Sequence, residues 1–153
     1  MALAIIMVWY VGIGALCAVG SMYLSHRFLP ANHEATLYGL FLIAIAAFYL
    51  ACTSYFGDAA AWRLETVAVL AFAAMGLLGT RVPVALMAGY ALHGGWDLLH
   101  EIQAHTQADV FGGRAATRIP LAYGAFCATI DWILVVYFVY RRRHWVAAWK
   151  SRA

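Results

Sequence analysis

Charge is what this chain has least of. Only 11% of its 153 residues are Asp, Glu, Lys or Arg, where a soluble domain carries about a quarter. It is 65% hydrophobic, with a mean hydropathy of +0.78. A soluble fold of this length cannot hide so much apolar surface, whereas a bilayer requires it to be exposed. Cysteine is scarce too. Cys17, Cys52 and Cys127 all lie in apolar runs, with no CxxC pair and no zinc-ribbon spacing. That excludes a disulfide framework and leaves three small buried hydrophobes. The N-terminus, Met-Ala-Leu-Ala-Ile-Ile, has no positive charge, so it does not read as a secretory signal peptide. Gly14-Ala15-Leu16-Cys17 has the outline of a lipoprotein box, but Leu16 is too large for the position before the cysteine. There is no glycine-rich phosphate cradle, no nucleophile elbow, no internal repeat and no histidine spacing suited to stacked haems.

What is there is a series of apolar runs. A helix needs about 20 apolar residues to cross the hydrocarbon. Five segments qualify, at about 2–24, 35–57, 61–79, 82–103 and 119–140. The expected fold is therefore all-α, a five-helix transmembrane bundle over 1–140 with a basic tail at 141–153. Asn32 suits the N-cap of the second helix. Pro83 and Pro120 fall near the starts of the fourth and fifth. The longest loop, about 104–118, holds Gly112-Gly113 and two arginines and has the length to cap the bundle.

The basic residues give orientation. Seven (Arg27, Arg81, Arg141, Arg142, Arg143, Lys150 and Arg152) fall on the C-terminal side of five spans. Arg63, Arg114 and Arg118 fall on the other. The excess belongs in the cytoplasm. The expected location is a bacterial inner membrane, N-terminus outside. Trp145 and Trp149 suggest that the tail forms a short helix along the headgroups, and its charge reads as a membrane anchor, not as a nucleic-acid surface.

The chemistry lies on the last three helices. His93, Asp97 and His100 fall on one face of the fourth at about 100° per residue, with Glu101 at its edge. Asp131 stands near mid-span on the fifth, and Glu65 near one end of the third. A rise of 1.5 Å per residue makes Asp131 level with His93, and Glu65 level with His100. An ionisable group at mid-membrane costs at least about 2.5–3.5 kcal/mol and marks a functional candidate. Three readings fit. His93, Asp97 and His100 suit a divalent metal such as Zn, Fe or Mn, with Glu65 and Asp131 as further ligands or as proton donor and acceptor. The same groups suit metal-free acid–base or relay chemistry. They also suit hydrogen bonds that merely tie helices together. His93 and His100 are about 10.5 Å apart along the axis. Two ions bridged by Asp97, or one ion with ligands from helices three and five, are therefore reached more easily.

His26, His33, Glu34, His105 and Asp109 read as solvated loop or helix-end residues, and His144 as part of the tail. Tyr49, Tyr55, Trp62 and Trp96 are candidates for a lipid-sized pocket. Gly12, Gly20, Gly76 and Gly79 are candidates for a helix-packing face.

The core His93-x-x-Trp96-Asp97-x-x-His100, followed by Pro120, Tyr123, Cys127 and Asp131, resembles a family of small bacterial membrane proteins of unknown function. The likeness runs over most of the chain and includes Glu65. The loop before the fifth helix is longer here than in that family. The resemblance implies the multi-helix architecture and no particular activity. The favoured function is a metal-dependent enzyme on a lipid or isoprenoid-like molecule. A metal-ion or proton transporter, and a structural subunit of a membrane complex, are the alternatives. The expected partners are the bilayer, a lipid-like small molecule, and a further copy of the chain or a membrane-complex subunit.

Overall fold

The computed structural model describes residues 1–106 and 108–150; Arg152 lies outside the described residues. The chain is all-α. The helices are α1 (Ala2–Phe28), α2 (Ala31–Phe56), α3 (Trp62–Gly79, entered through one 3-10 turn at Ala59–Ala61), α4 (Pro83–His105) and α5 (Tyr123–Lys150). The breaks have local causes. Leu29 turns extended ahead of Pro30, whose ring cannot continue a helix. Pro30, not Asn32, precedes the first turn of α2, and Asn32 is buried within the helix. Gly57 ends α2 at φ +69°, its N–H returning to the Ser54 and Thr53 carbonyls, as a left-handed C-cap requires.

Helices α1, α2, α3 with its entry turn, and α5 are long and apolar enough to cross a membrane. Helix α4 is the exception. At 23 residues it is about 34 Å long, but His93, Asp97, His100 and Glu101 dilute its apolar character. The exposed surface supports a bilayer setting. Val8, Trp9, Leu16, Val67, Leu70 and Val136 are each more than half exposed, a burden that water-soluble monomers rarely carry.

Short turns make successive helices antiparallel. One end of the bundle, the loop end, holds the α2–α3 turn and the long 106–122 segment. The other, the tail end, holds the α1–α2 and α3–α4 turns and the C-terminus of α5. Helix α5 packs between α1 and α4, α3 packs between α2 and α4, and α2 leans onto both α4 and α5. Glycine sets one of these contacts. A Cβ on Gly39 or Gly76 would stand 2.5 Å from the other's carbonyl oxygen, so α2 and α3 touch backbone to backbone there. Of the four glycines read as a packing face, Gly76 and Gly79 are packed, while Gly12 and Gly20 meet nothing within 4 Å.

Two expectations about the tail end are corrected. Glu34 is not solvated; it is fully buried. Its carboxylate accepts from Arg141 (Nε 3.0 Å, Nη2 2.8 Å), Trp145 Nε1 (2.8 Å), Ser25 (3.2 Å) and the Tyr137 hydroxyl. The residues after 140 do not form a separate surface helix either. Helix α5 runs on unbroken to Lys150, because Arg141 and Trp145 continue its buried face on to Glu34. Trp149 lies beneath the Arg81 guanidinium at 3.9 Å.

Gly76→Ala is expected to lower stability by about 1–3 kcal/mol through overpacking, and Gly12→Ala to leave it unchanged; thermal melting in detergent reads both. Glu34→Leu strands the buried Arg141 and is expected to cost about 3–5 kcal/mol in the same assay, with Arg142→Gln as a near-neutral control.

Candidate functional site

Backbone closeness between α4 and α5 builds the site. Gly94 and Gly124 have no room for a side chain. A Cβ at Gly94 would meet Trp132 at 2.8 Å and Asp131 at 3.2 Å; one at Gly124 would run into the Asp97 carbonyl and the Glu101 side chain. That approach brings His93 Nδ1 to 2.8 Å from Asp131 Oδ2, and the i, i+4 relation brings it to 3.2 Å from Asp97 Oδ2. The Tyr49 hydroxyl of α2 donates to Asp97 Oδ1 at 2.5 Å. All three ionisable residues are buried, at 0%, 0% and 1% exposure. One ligand atom from each lies within 4.8 Å of the others, so His93, Asp97 and Asp131 could hold a metal ion. Among the described residues, His93 Nε2 has no hydrogen-bond partner, and nor does Asp97 Oδ2.

His100 and Glu65 form a second, separate pair. His100 Nε2 is 3.0 Å from Glu65 Oε1, and His100 Nδ1 is 3.1 Å from the Trp96 carbonyl. The same Glu65 oxygen accepts from the Thr117 backbone N–H at 2.9 Å, while Glu65 Oε2 is buried without a partner. The Tyr49 ring separates the two groups, 6.0 Å from the His93 ring and 4.6 Å from that of His100. Both level pairings expected from helical rise, His93 with Asp131 and Glu65 with His100, are therefore present. Of the residues expected to share an ion, His93 and Asp97 lie together with Asp131, while His100 Nε2 lies 3.0 Å from Glu65 Oε1.

Two contributions are not legible in the sequence, and a third, the expected capping loop, is. Tyr49 was seen as pocket lining and is a donor to Asp97. Glu101 was seen as marginal. It is buried, and its Oε2 accepts the Gly124 N–H at 2.8 Å, placing an anion at the positive N-terminus of α5. The long segment before α5 closes the loop end. Phe111 is buried against the Trp96 and His100 rings, at 5.2 and 4.8 Å. Asp58 anchors the segment by accepting from the Arg118 backbone (2.8 Å) and guanidinium (3.1 Å). Asp109 is exposed, as expected of a loop residue; His105 ends α4, and its Nε2 lies 2.8 Å from Glu101 Oε1.

No family model matches the chain, and no curated protein or solved structure matches it. The site is read from this chain's own residues.

The Asp58 tie has a pH signature. Burial raises its carboxyl, but hydrogen bonds and charge from Arg118 outweigh that and hold it below the ordinary 3.8. A lowered folded value means the tie acts fully above 3.8 and is lost as pH falls through the folded value. A spin label at Ala115→Cys, in a Cys17→Ser background, is expected to gain mobility only below pH 3.8. With Asp58→Asn added it should be mobile at every pH.

Proposed function

We propose that this is a five-span membrane enzyme that holds a divalent metal ion at His93, Asp97 and Asp131 and acts on a lipid or isoprenoid-like molecule. The observation that carries the metal is the convergence of two carboxylates and one imidazole within 4.8 Å, all wholly buried. Two carboxylates out of reach of water need compensating positive charge. Neutral imidazole with a divalent cation closes that balance, and the donor set suits Zn, Fe or Mn. The ion would serve there as a Lewis acid. Helix α4 crosses as the fifth span because its polar face is turned inward, onto α2, α3 and α5. The excess of basic residues at the tail end supports a cytoplasmic C-terminus and an inner-membrane location.

The protein's own residues have distinct tasks in this reading. Tyr49 fixes one oxygen of Asp97 and so aims the other. His100 and Glu65, one ring away, supply the proton donor and acceptor, with Glu65 Oε2 uncommitted. A lipid-facing approach exists. An apolar groove of about 610 Å³ opens between α3 and α4, lined by Ala68, Ala71, Phe72, Met75, Leu92 and Trp96 among others. The Phe72 ring lies against His93 at 4.9 Å, and that of Trp96 against His100 at 5.2 Å. Phe72 and Trp96, which line the groove, thus touch both histidines.

Ion or proton passage is the second reading, favoured by the polar cluster around Glu34 at the tail end. Its route is interrupted. Tyr90 donates to the backbone carbonyl of Tyr38 at 3.0 Å, which passes no proton on. Leu134 and Phe138 fill the remaining space beside it, both fully buried.

Elemental analysis of the detergent-purified protein tests the metal. Near-stoichiometric metal is expected in the parent and in His100→Ala. It should be lost in His93→Ala, Asp97→Asn and Asp131→Asn. A metal-free parent, or metal lost equally in His100→Ala, would sink the three-residue site.

A further inference from the structure

We infer that the groove beside the site binds an amphiphile with an anionic, phosphate-type headgroup, and that the site faces its chain, not its headgroup. This rests on the lipid-handling reading above and narrows it to a substrate class. A second cavity, about 430 Å³, lies at the loop end of α3 and is lined by Arg63, Leu64, Val67 and Arg114. It continues the α3–α4 groove: Leu64 and Val67 of the first are each one helical turn from Ala68 and Ala71 of the second. Together they form one track along α3, cationic at the end of the span and wholly apolar within it.

The charges at the mouth are available. Arg63 and Arg114 are exposed, and among the described residues neither makes an ion pair. Arg114 spends one N–H on the Phe111 carbonyl, at 3.1 Å. The neighbouring Arg118 is committed to Asp58 at 3.0 Å. Guanidinium pairs recognise phosphate oxygens, and two of them above an apolar track complement an anionic lipid, not a zwitterionic or neutral one. From Arg63 to Phe72 is nine residues, about 13 Å of helix. A headgroup held at Arg63 therefore leaves chain carbons beside Phe72 and His93. The headgroup is a handle, and the chemistry falls on the hydrocarbon part of the ligand.

The test is native mass spectrometry of the full chain, delipidated in detergent and titrated with phosphatidylglycerol or phosphatidylcholine of identical chains. Two arginines at the interface predict a preference of about thirtyfold for phosphatidylglycerol. Arg63→Gln with Arg114→Gln should bring both lipids to the same affinity, while Arg143→Gln at the tail end should change nothing. Ala71→Phe, filling the track, should weaken both lipids. Equal affinities in the parent, a preference surviving in the double variant, or unaltered binding in Ala71→Phe would overturn the proposal. Displacement of the lipid by excess inorganic phosphate would also overturn it, as the pocket would then be an anion site without a tail. Metal content measured on the same samples separates the two claims. Metal kept while the lipid preference is absent removes this inference alone. A lipid preference kept in a metal-free parent removes the metal alone.

Discussion

A carboxylate inside an apolar bundle must find donors, and that demand organises this protein. Five of the seven acidic side chains are buried. Each spends at least one oxygen on another element. Glu34 joins α2 to α1 and α5, and Glu65 joins α3 to α4 and the long loop. Asp97 joins α4 to α2, Glu101 joins α4 to the first turn of α5, and Asp131 joins α5 back to α4. In hydrocarbon, apolar packing alone gives helices little reason to prefer one rotation over another. The carboxylates supply that preference. The tight glycine contacts at Gly39–Gly76, Gly94 and Gly124 then allow backbones close enough for the bonds to form.

How much of this was legible follows from which signals lie along one helix. The helical character, the polar stripe on α4 and the level pairings all come from hydropathy and a constant rise, and these survive folding. What the sequence could not give is helix rotation. Whether His100 shares an ion with Asp97 or turns to Glu65 depends on which face α3 presents, and spacing on α4 is silent about it. The solvated reading of Glu34 failed for a related reason. A lone acidic residue at the start of an apolar run looks like a helix-end charge until its partners are found more than a hundred residues away. One signal was present: Tyr137, Arg141 and Trp145 recur at four-residue intervals, a single stripe of donors that ran past the supposed end of the span. The stripe Gly39, Leu42, Ala46, Tyr49 and Thr53 likewise marked the buried face of α2 and put Tyr49 among inward residues.

The polar groups fall into three islands along the bundle. Glu65, His100 and Thr117 lie under the loop. Tyr49, His93, Asp97 and Asp131 lie at mid-depth. Ser25, Glu34, Tyr38, Tyr137 and Arg141 lie at the tail end. Aromatic rings stand between them: the Tyr49 ring between those of His93 and His100, and Tyr90 and Phe138 beside Tyr38.

The tail-end island also shows what a purely structural carboxylate looks like in this fold. Glu34 receives donors on both oxygens, including a full positive charge from Arg141, and is left with nothing to satisfy. The middle island is built differently. It sets two carboxylates against one imidazole, supplies no arginine, leaves His93 Nε2 without a hydrogen-bond partner, and gives Asp97 Oδ2 only the His93 Nδ1 contact at 3.2 Å. Orphaned groups at that depth cost stability, and the same sequence could have removed the cost as it did at Glu34. A cation held by His93, Asp97 and Asp131 is the ligand that such a cluster could take. The proposed metal reading rests on that charge imbalance, two buried carboxylates to one imidazole, more than on the presence of histidine and aspartate as such.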